Sequence, residues 1–445
     1  MSIPIIEGLA AGREALLRQR SLAQVDPSPE IAASLRRLFG RQVTPQEAVD
    51  AIIADVRQHG DTALRQWTLR LDGAVLEGLA VGEGEIEAAY QETSMALREA
   101  LVAAAGRIRA FHEKEPKGSW LAWEEDSALG QMVRPLERVG IYVPGGATAY
   151  PSTLLMTAIP AQVAGVREIL VTSPPNREGQ VAQAVLAAAR ILGLRRLYRI
   201  GGAQAIAALA YGTESVAQVD KIVGPGNLFV TLAKRSVYGQ VGIDGLFGPT
   251  ETFIIADEAA SPIIVAADLL AQAEHDALAS AVLATPSRQL AHAVRAEVER
   301  RLGALERRAI IAAALDGRGA IVIVADLEEA LELANDYAPE HLCLLTAQPW
   351  SLVDRVRNAG GLFLGEAAGE ALGDYILGPS HSMPTGATAR YASPLRVADF
   401  LKVTSLFSLG AAGAARLAPY AVTLAQAEGL TAHGAAAAVR QGRVV

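Results

Sequence analysis

From residue 139 onward the chain alternates short apolar runs with helix-length segments, and this rhythm constrains the fold more than any other feature. Residues 139–143 (VGIYV) read as a strand that runs into Pro144, Gly145 and Gly146. A helix over 152–163, a strand at Glu168–Thr172, a helix over 180–192 and a strand over 196–200 follow. Gly201, Gly202, Ala203 and Gln204 open another helix, to Ala210. Lys221–Val223 is a strand ending in Gly224, Pro225, Gly226 and Asn227, and a further helix leads to a strand over 241–243. Such alternation predicts parallel strands joined by right-handed crossovers. Three strand ends are glycine-rich and lead into helices, whose free backbone N–H groups suit phosphate, and ligands of doubly wound sheets sit at the carboxyl ends of the strands. The competing reading is that these glycines only serve tight turns. No G-x-G-x-x-G fingerprint is present.

A second alternating block begins at Glu251. It predicts a strand over 252–256, a helix at Pro262–Ala273, a strand over 281–284, helices at Arg288–Leu302 and over 307–315, a strand over 320–324 and a helix at Leu327–Tyr337. Pro339 ends that last helix. Glu340 and His341 then stand at a helix-to-strand junction, which places side chains at a cleft. Cys343 reads as a strand-core residue. A strand over 360–365 comes next, then a loop over 371–385 rich in Gly and Pro that carries Asp374, Tyr375 and His381. Loops of this kind serve binding.

Residues 1–117 read as helices, with Gly60 and Asp61 breaking one and Asp61 capping the next. His59 and His112 in this region read as surface or helix-end residues, and His292 as solvated. The tail from Pro394 reads as helices. Glu428 and His433 are five apart there, and Gly429 between them breaks the helix so that both turn to one point.

With 51% hydrophobic and 20% charged residues, the chain has material for a large core. No apolar run is long enough to span a bilayer, and no secretory signal is recognisable at the start. The net charge of -8 and scattered Lys and Arg argue against a nucleic-acid footprint. The single cysteine excludes a disulfide framework and a thiolate zinc site. These features predict a cytoplasmic α/β protein.

Within 266–277 (AADLLAQAEHDA), a helix puts Asp268, Gln272, His275 and Asp276 on one side and Leu269, Leu270 and Ala273 inward. Gln272 and His275, three apart, are neighbours on such a helix. An amide oxygen beside an imidazole is half a metal site. Taken alone the pair reads more readily as a plain polar helix face, because Q-x-x-H is a weak pattern.

The strings DVRQHGDTAL, RVGIYVPGG, YRIGGAQAIAALAYGT, VDKIVGPGN, AADLLAQAEHD, YAPEHL, GDYILGPSH and AEGLTAH, in this order, resemble the L-histidinol dehydrogenases over nearly the whole chain. That family oxidises L-histidinol to L-histidine in two steps with two NAD+, through an enzyme-held aldehyde-level intermediate. The resemblance implies a zinc ion (Zn2+) held by Gln272, His275, Asp374 and His433. Three neutral ligands and one anion leave a cation that prefers nitrogen donors, which histidinol offers. His341 resembles the family's general base, and Glu340 the residue that activates water for the second oxidation. Thr250, His381 and Glu428 resemble substrate contacts, with Gln272, His275, His341, Asp374 and His433 also beside the substrate. Tyr142, Gln204 and Asn227 resemble the NAD contacts. Serine is usual in the family where Thr250 stands, so a hydroxyl survives; residues 245–247 and 382–383 also differ from the commonest forms.

The implied fold is α/β, with two incomplete Rossmann-like doubly wound domains, a helical N-terminal region and an extended helical C-terminal tail. The expected division is a helical domain over 20–117, a metal and catalytic domain from 1–19, 118–141 and 252–393, an NAD domain over 142–251, and a tail over 394–445. The resemblance also implies a homodimer in which the tail crosses and His433 completes the partner's site. One rival reading is a dehydrogenase of the same scaffold acting on another small alcohol, such as a sulfonated diol. Glu428 and His381, which suit an amine and an imidazole, favour histidinol. The other rival, a non-catalytic binding protein, is disfavoured by the retained Glu340 and His341 and the four ligand positions.

Overall fold

The computed structural model describes residues 3–17, 29–145 and 149–441. Gly146, the end of the first expected strand turn, lies outside the described residues. Two parallel sheets carry the chain. The five-stranded sheet runs in the order Arg196–Tyr198, Glu168–Thr172, Arg138–Tyr142, Lys221–Val223, Gly242–Ile243. Its first strand is central, pairing Ile141 with Val171 on one side and Val223 on the other. Successive strands therefore wind outward in both directions, and the switch point opens at the carboxyl end of Arg138–Tyr142.

The two faces of this sheet have separate cores. Helices Pro151–Ala164 and Gln183–Ile191 bury Leu154, Leu155, Val185 and Leu186 against Val139, Ile141 and Val171. Helices Gly202–Tyr211 and Leu228–Val237 bury Ile206, Leu209 and Val230 against Leu170 and Ile222. Sandwiched on both faces, the strands have no polar side, which is why they read as continuous apolar runs. The N-terminal helices pack onto both faces of this sheet. Pro45–Asp72 packs Val49, Ile52 and Leu64 into the second of these cores, and Met95–His112 packs Leu101 and Ile108 into the first.

The six-stranded sheet runs Ile5–Glu7, Gly319–Ile323, Ser280–Thr285, Glu251–Ala256, His341–Leu345, Gly361–Leu364, all parallel. Its unit again starts centrally, at Glu251–Ala256, and winds both ways. Helix Pro262–Ala273 covers one face with Val265, Leu269 and Leu270, and Leu327–Tyr337 covers the other with Leu331 and Leu333.

Several local expectations are corrected. Ile5–Glu7 is an edge strand; three residues are too few to show a period. The tail contains a strand, Leu401–Leu409, which pairs antiparallel with Ser127–Pro135, itself paired with Trp120–Glu124. No residue of Leu401–Leu409 is buried, so the strand has no apolar-inward alternation by which to be read. Strand Arg138–Tyr142 sits wholly in the five-stranded sheet, so segment 118–141 joins that sheet and the antiparallel one. Gly60 (φ 50°, ψ -131°) does kink helix Pro45–Asp72. Asp61 is not a cap: it accepts from Thr213 Oγ1 at 2.7 Å, from Ser215 N at 3.2 Å and from the Ser215 hydroxyl. His112 ends its helix, as expected, but is buried, with Nδ1 2.5 Å from Glu115 Oε1. His59 and His292 are exposed.

Candidate active site

Helix Leu327–Tyr337 stops at Ala338, a non-glycine residue in the left-handed region (φ 49°, ψ 64°). Pro339 follows, and the chain turns directly into strand His341–Leu345. Glu340 and His341 are buried at this turn, 7% and 3% exposed. The site thus lies at the amino ends of the six-stranded sheet, where His341 is in register with Thr252.

His341 Nδ1 lies 3.2 Å from the Glu251 carbonyl oxygen. A carbonyl only accepts, so Nδ1 carries a hydrogen, and in the neutral ring the lone pair is then on Nε2. Nε2 is buried without a hydrogen-bond partner, 3.8 Å from Asp374 Oδ1. A free basic nitrogen held beside a carboxylate is the arrangement a proton acceptor needs.

Glu340 Oε2 accepts from Thr250 Oγ1 at 2.5 Å and from Glu251 N at 3.0 Å. Burial pushes its carboxyl up to about 7, against the opposing pull of His341 and these two hydrogen bonds. Ionised and neutral forms are then both accessible near neutral pH.

Helix Pro262–Ala273 has the bounds expected from the sequence, so only the first part of the 266–277 stretch is helical. Gln272 lies in its last turn and is buried, whereas His275 lies beyond its end and is exposed. Their proximity comes from the helix terminus and not from one polar helix face. With its nitrogen toward Glu370 Oε1 (2.5 Å), the Gln272 amide has its oxygen 2.7 Å from both Glu251 N and Thr250 Oγ1, and the one Thr250 hydroxyl hydrogen then serves either this oxygen or Glu340. In the opposite orientation its nitrogen donates to Thr250 Oγ1.

Asp374 sits on a short helix, Glu370–Tyr375, not in a loop. Gly373 within it and the Gly-Pro pair just after it hide the helix from a pattern reading. Asp374 carries its carbonyl to His381 Nδ1, 2.9 Å away. Burial lowers the His381 pKa, with Asp374 opposing. His275 is exposed as a residue, yet the protein around its ring lowers its pKa, again against Asp374.

Glu370 and Thr252 were not foreseen. Glu370 is buried, accepts from the Thr252 hydroxyl, and has its carboxyl pushed well above the usual range by burial and Asp374. Its spacing of four from Asp374, one helical turn, was the available signal. Asp268, on the Gln272 side of its helix, has an unpartnered Oδ2 and a carboxyl raised to about 6 by burial.

Glu428 and His433 are exposed on the tail, where helix Ala411–Ala427 ends before Gly429 (φ 72°) and Thr431–Ala438 begins. Within this chain neither residue bonds to the Gln272, His275 and Asp374 group. Among the described residues no three His, Cys, Asp or Glu side chains gather closely enough to hold a metal ion.

A separate cavity of about 470 Å³ lies at the switch point of the five-stranded sheet, and Tyr142, Gln204 and Asn227 all line it. Gln204 is fully buried with both amide atoms unpartnered. Asn227 caps helix Leu228–Val237, accepting from Phe229 N and Val230 N at 3.1 and 3.2 Å, and its amide nitrogen is left over. Tyr142 accepts from Gly202 N at 3.2 Å, and burial pushes its phenol up to about 12. Gly224 (φ 115°) is required here, since a Cβ would come within 2.1 Å of the Tyr142 carbonyl oxygen.

The family model described as histidinol dehydrogenase matches residues 38–441. The chain is 52% identical over 434 residues to the histidinol dehydrogenase of Deinococcus radiodurans, covering 97% of this chain and 98% of that one. It is 52% identical over 414 residues to that of Moorella thermoacetica, covering 92% and 98%. The crystal structure of histidinol dehydrogenase from Elizabethkingia anophelis superposes with a TM-score of 0.90 at 33% identity, covering 98% of each chain.

Proposed function

Since the chain belongs to the histidinol dehydrogenase family and is an oxidoreductase, we propose that it oxidises L-histidinol to L-histidine in two NAD+-dependent steps, with one zinc ion per site. The observation that carries this reading is the buried pair Glu340 and His341, with His341 Nε2 lacking a hydrogen-bond partner. A cytoplasmic setting is part of the same reading.

The residues fit both groups. The orphaned amide of Gln204 and the free amide nitrogen of Asn227 give the switch-point cavity the donors and acceptor a dinucleotide needs. Gln272, His275 and Asp374 are an amide, an imidazole and a carboxylate, a mixed set suited to zinc with the fourth donor from elsewhere. When bound, NAD+ supplies the hydride acceptor and zinc supplies a charged anchor for the amine and imidazole of the substrate.

His341 takes the hydroxyl proton at Nε2 as hydride leaves the carbinol carbon, giving the aldehyde. Glu340 then takes a proton from water as it adds to that aldehyde, and the hydrate loses a second hydride to give the carboxylic acid. Burial around Glu340 and His341 excludes bulk water from the first step. Thr250 orients Glu340, and His381 is held by the Asp374 carbonyl.

Homodimer formation belongs to this reading. Trp123 (72% exposed) and Phe407 (82%) project from the antiparallel sheet, and Tyr420 and Leu424 from the tail. Trp123 and Phe407 stand on opposite faces of that sheet, and exposed apolar side chains of this kind suit a second copy, which would bring Glu428 and His433 to the site.

The test is purified protein with L-histidinol and NAD+, followed by NADH absorbance with and without a chelator. Turnover that is lost on chelation and restored by zinc is expected. No NADH from histidinol, with turnover of a sulfonated diol, would overturn the substrate assignment.

A further inference from the structure

The switch-point cavity holds an acidic residue that the proposed chemistry does not use. Asp72 lines it, and its Oδ2 is buried without a hydrogen-bond partner. Nothing structural recommends a carboxylate there. Asp72 is the last residue of helix Pro45–Asp72, where the carbonyl ends already carry partial negative charge. Burial alone raises its carboxyl to about 6, and no cation offsets it. Unpartnered, costly charge at a cavity wall is the mark of a binding group.

The walls to either side indicate what it binds. Leu71, Ile31, Leu35 and Phe229 form an apolar side that suits a flat base. Gly202 and Asn227, at helix starts, form a side that suits phosphate. Asp72 follows Leu71 in the chain and shares the cavity with Tyr142 at the strand end, so a molecule that fills the cavity meets both. The part of a dinucleotide that joins base to phosphate is the ribose, which presents two vicinal hydroxyl donors.

We propose that Asp72 accepts the hydroxyls of the adenosine ribose and so sets the preference for NAD+ over NADP+. A 2′-phosphate would remove one donor and bring a dianion against the carboxylate. This inference rests on reading the cavity as the dinucleotide site.

The test is calorimetric titration of the full-length, zinc-loaded protein with NAD+ and with NADP+, without alcohol substrate. Wild type should bind NAD+ more tightly. In Asp72→Asn, NAD+ affinity should fall about tenfold, as expected for loss of a charged hydrogen bond, while NADP+ affinity holds or rises. Asp72→Ser, a smaller neutral residue, should shift the ratio the same way. An unchanged ratio of the two affinities in both variants overturns the assignment. Gln204→Ala separates the two levels of the reading. If it weakens both dinucleotides while the Asp72 variants leave the ratio unchanged, only the Asp72 role fails. If it weakens neither, the cavity is not the dinucleotide site and the proposal falls with it.

Discussion

The Thr250 hydroxyl lies 2.5 Å from Glu340 Oε2, joining the start of one central strand to the turn before its neighbour. This bond helps hold the Glu340 carboxyl down against burial. Thr250→Ser should keep the bond and stay near wild-type turnover. Thr250→Val should leave a buried acceptor short of a donor, raise the Glu340 pKa further and slow turnover about tenfold at neutral pH, with part of the loss recovered at higher pH. A pH–rate profile of Thr250→Val that matched wild type would contradict this link.

His341→Ala should fold and bind zinc but lose about a hundred- to ten-thousand-fold in turnover, the usual effect of removing a general base. Steady-state kinetics alongside a zinc-binding titration measures both; near-normal turnover would remove His341 from the role.

Glu340 gives a pH dependence of stability whose sign is unusual for a carboxylate. Its pKa is raised by folding, from 4.5 to about 7, so the native state binds more protons than the unfolded chain between these values. Its contribution is fully present below 4.5 and is lost as pH rises through about 7. Melting of the metal-free protein should therefore show wild type losing stability relative to Glu340→Gln across that window. A constant difference between the two would contradict the raised pKa. In the loaded enzyme, Glu340→Gln should slow the second oxidation more than the first, since only the second adds water.

What was legible in the sequence follows from burial. Strands sandwiched between helices, such as Arg138–Tyr142 and Glu168–Thr172, are apolar on both faces and announce themselves. Helix Pro262–Ala273 was legible at both ends, through its proline start and apolar stripe, but the burial of Gln272 was not, because its partners Glu251 and Glu370 are distant in sequence. Leu401–Leu409 was illegible because it buries no face in this chain. The site itself is assembled from residues 250, 272, 340, 370 and 374, and apart from the one-turn spacing of 370 and 374 no local period links them. Resemblance supplied the members, and the structure supplied Glu370 and the tautomer of His341.

The tail gives a test of assembly. His433→Ala and Asp374→Ala chains should each be inactive as homodimers. If the tail crosses, mixed dimers carry both defects in one site and none in the other. Co-refolding should then restore up to about a quarter of wild-type activity, given random symmetric pairing. Activity staying at the parental level, with mixed dimers confirmed by mass spectrometry, would place His433 in its own chain's site.

The most direct test of the proposed reaction is its stoichiometry. With L-histidinol limiting and NAD+ in excess, NADH is read by absorbance and the product by mass spectrometry. Two NADH per histidinol, with L-histidine as product and no free aldehyde, is the expected result. One NADH per histidinol, with aldehyde released into solution, would contradict a single site in which His341 and Glu340 serve successive oxidations.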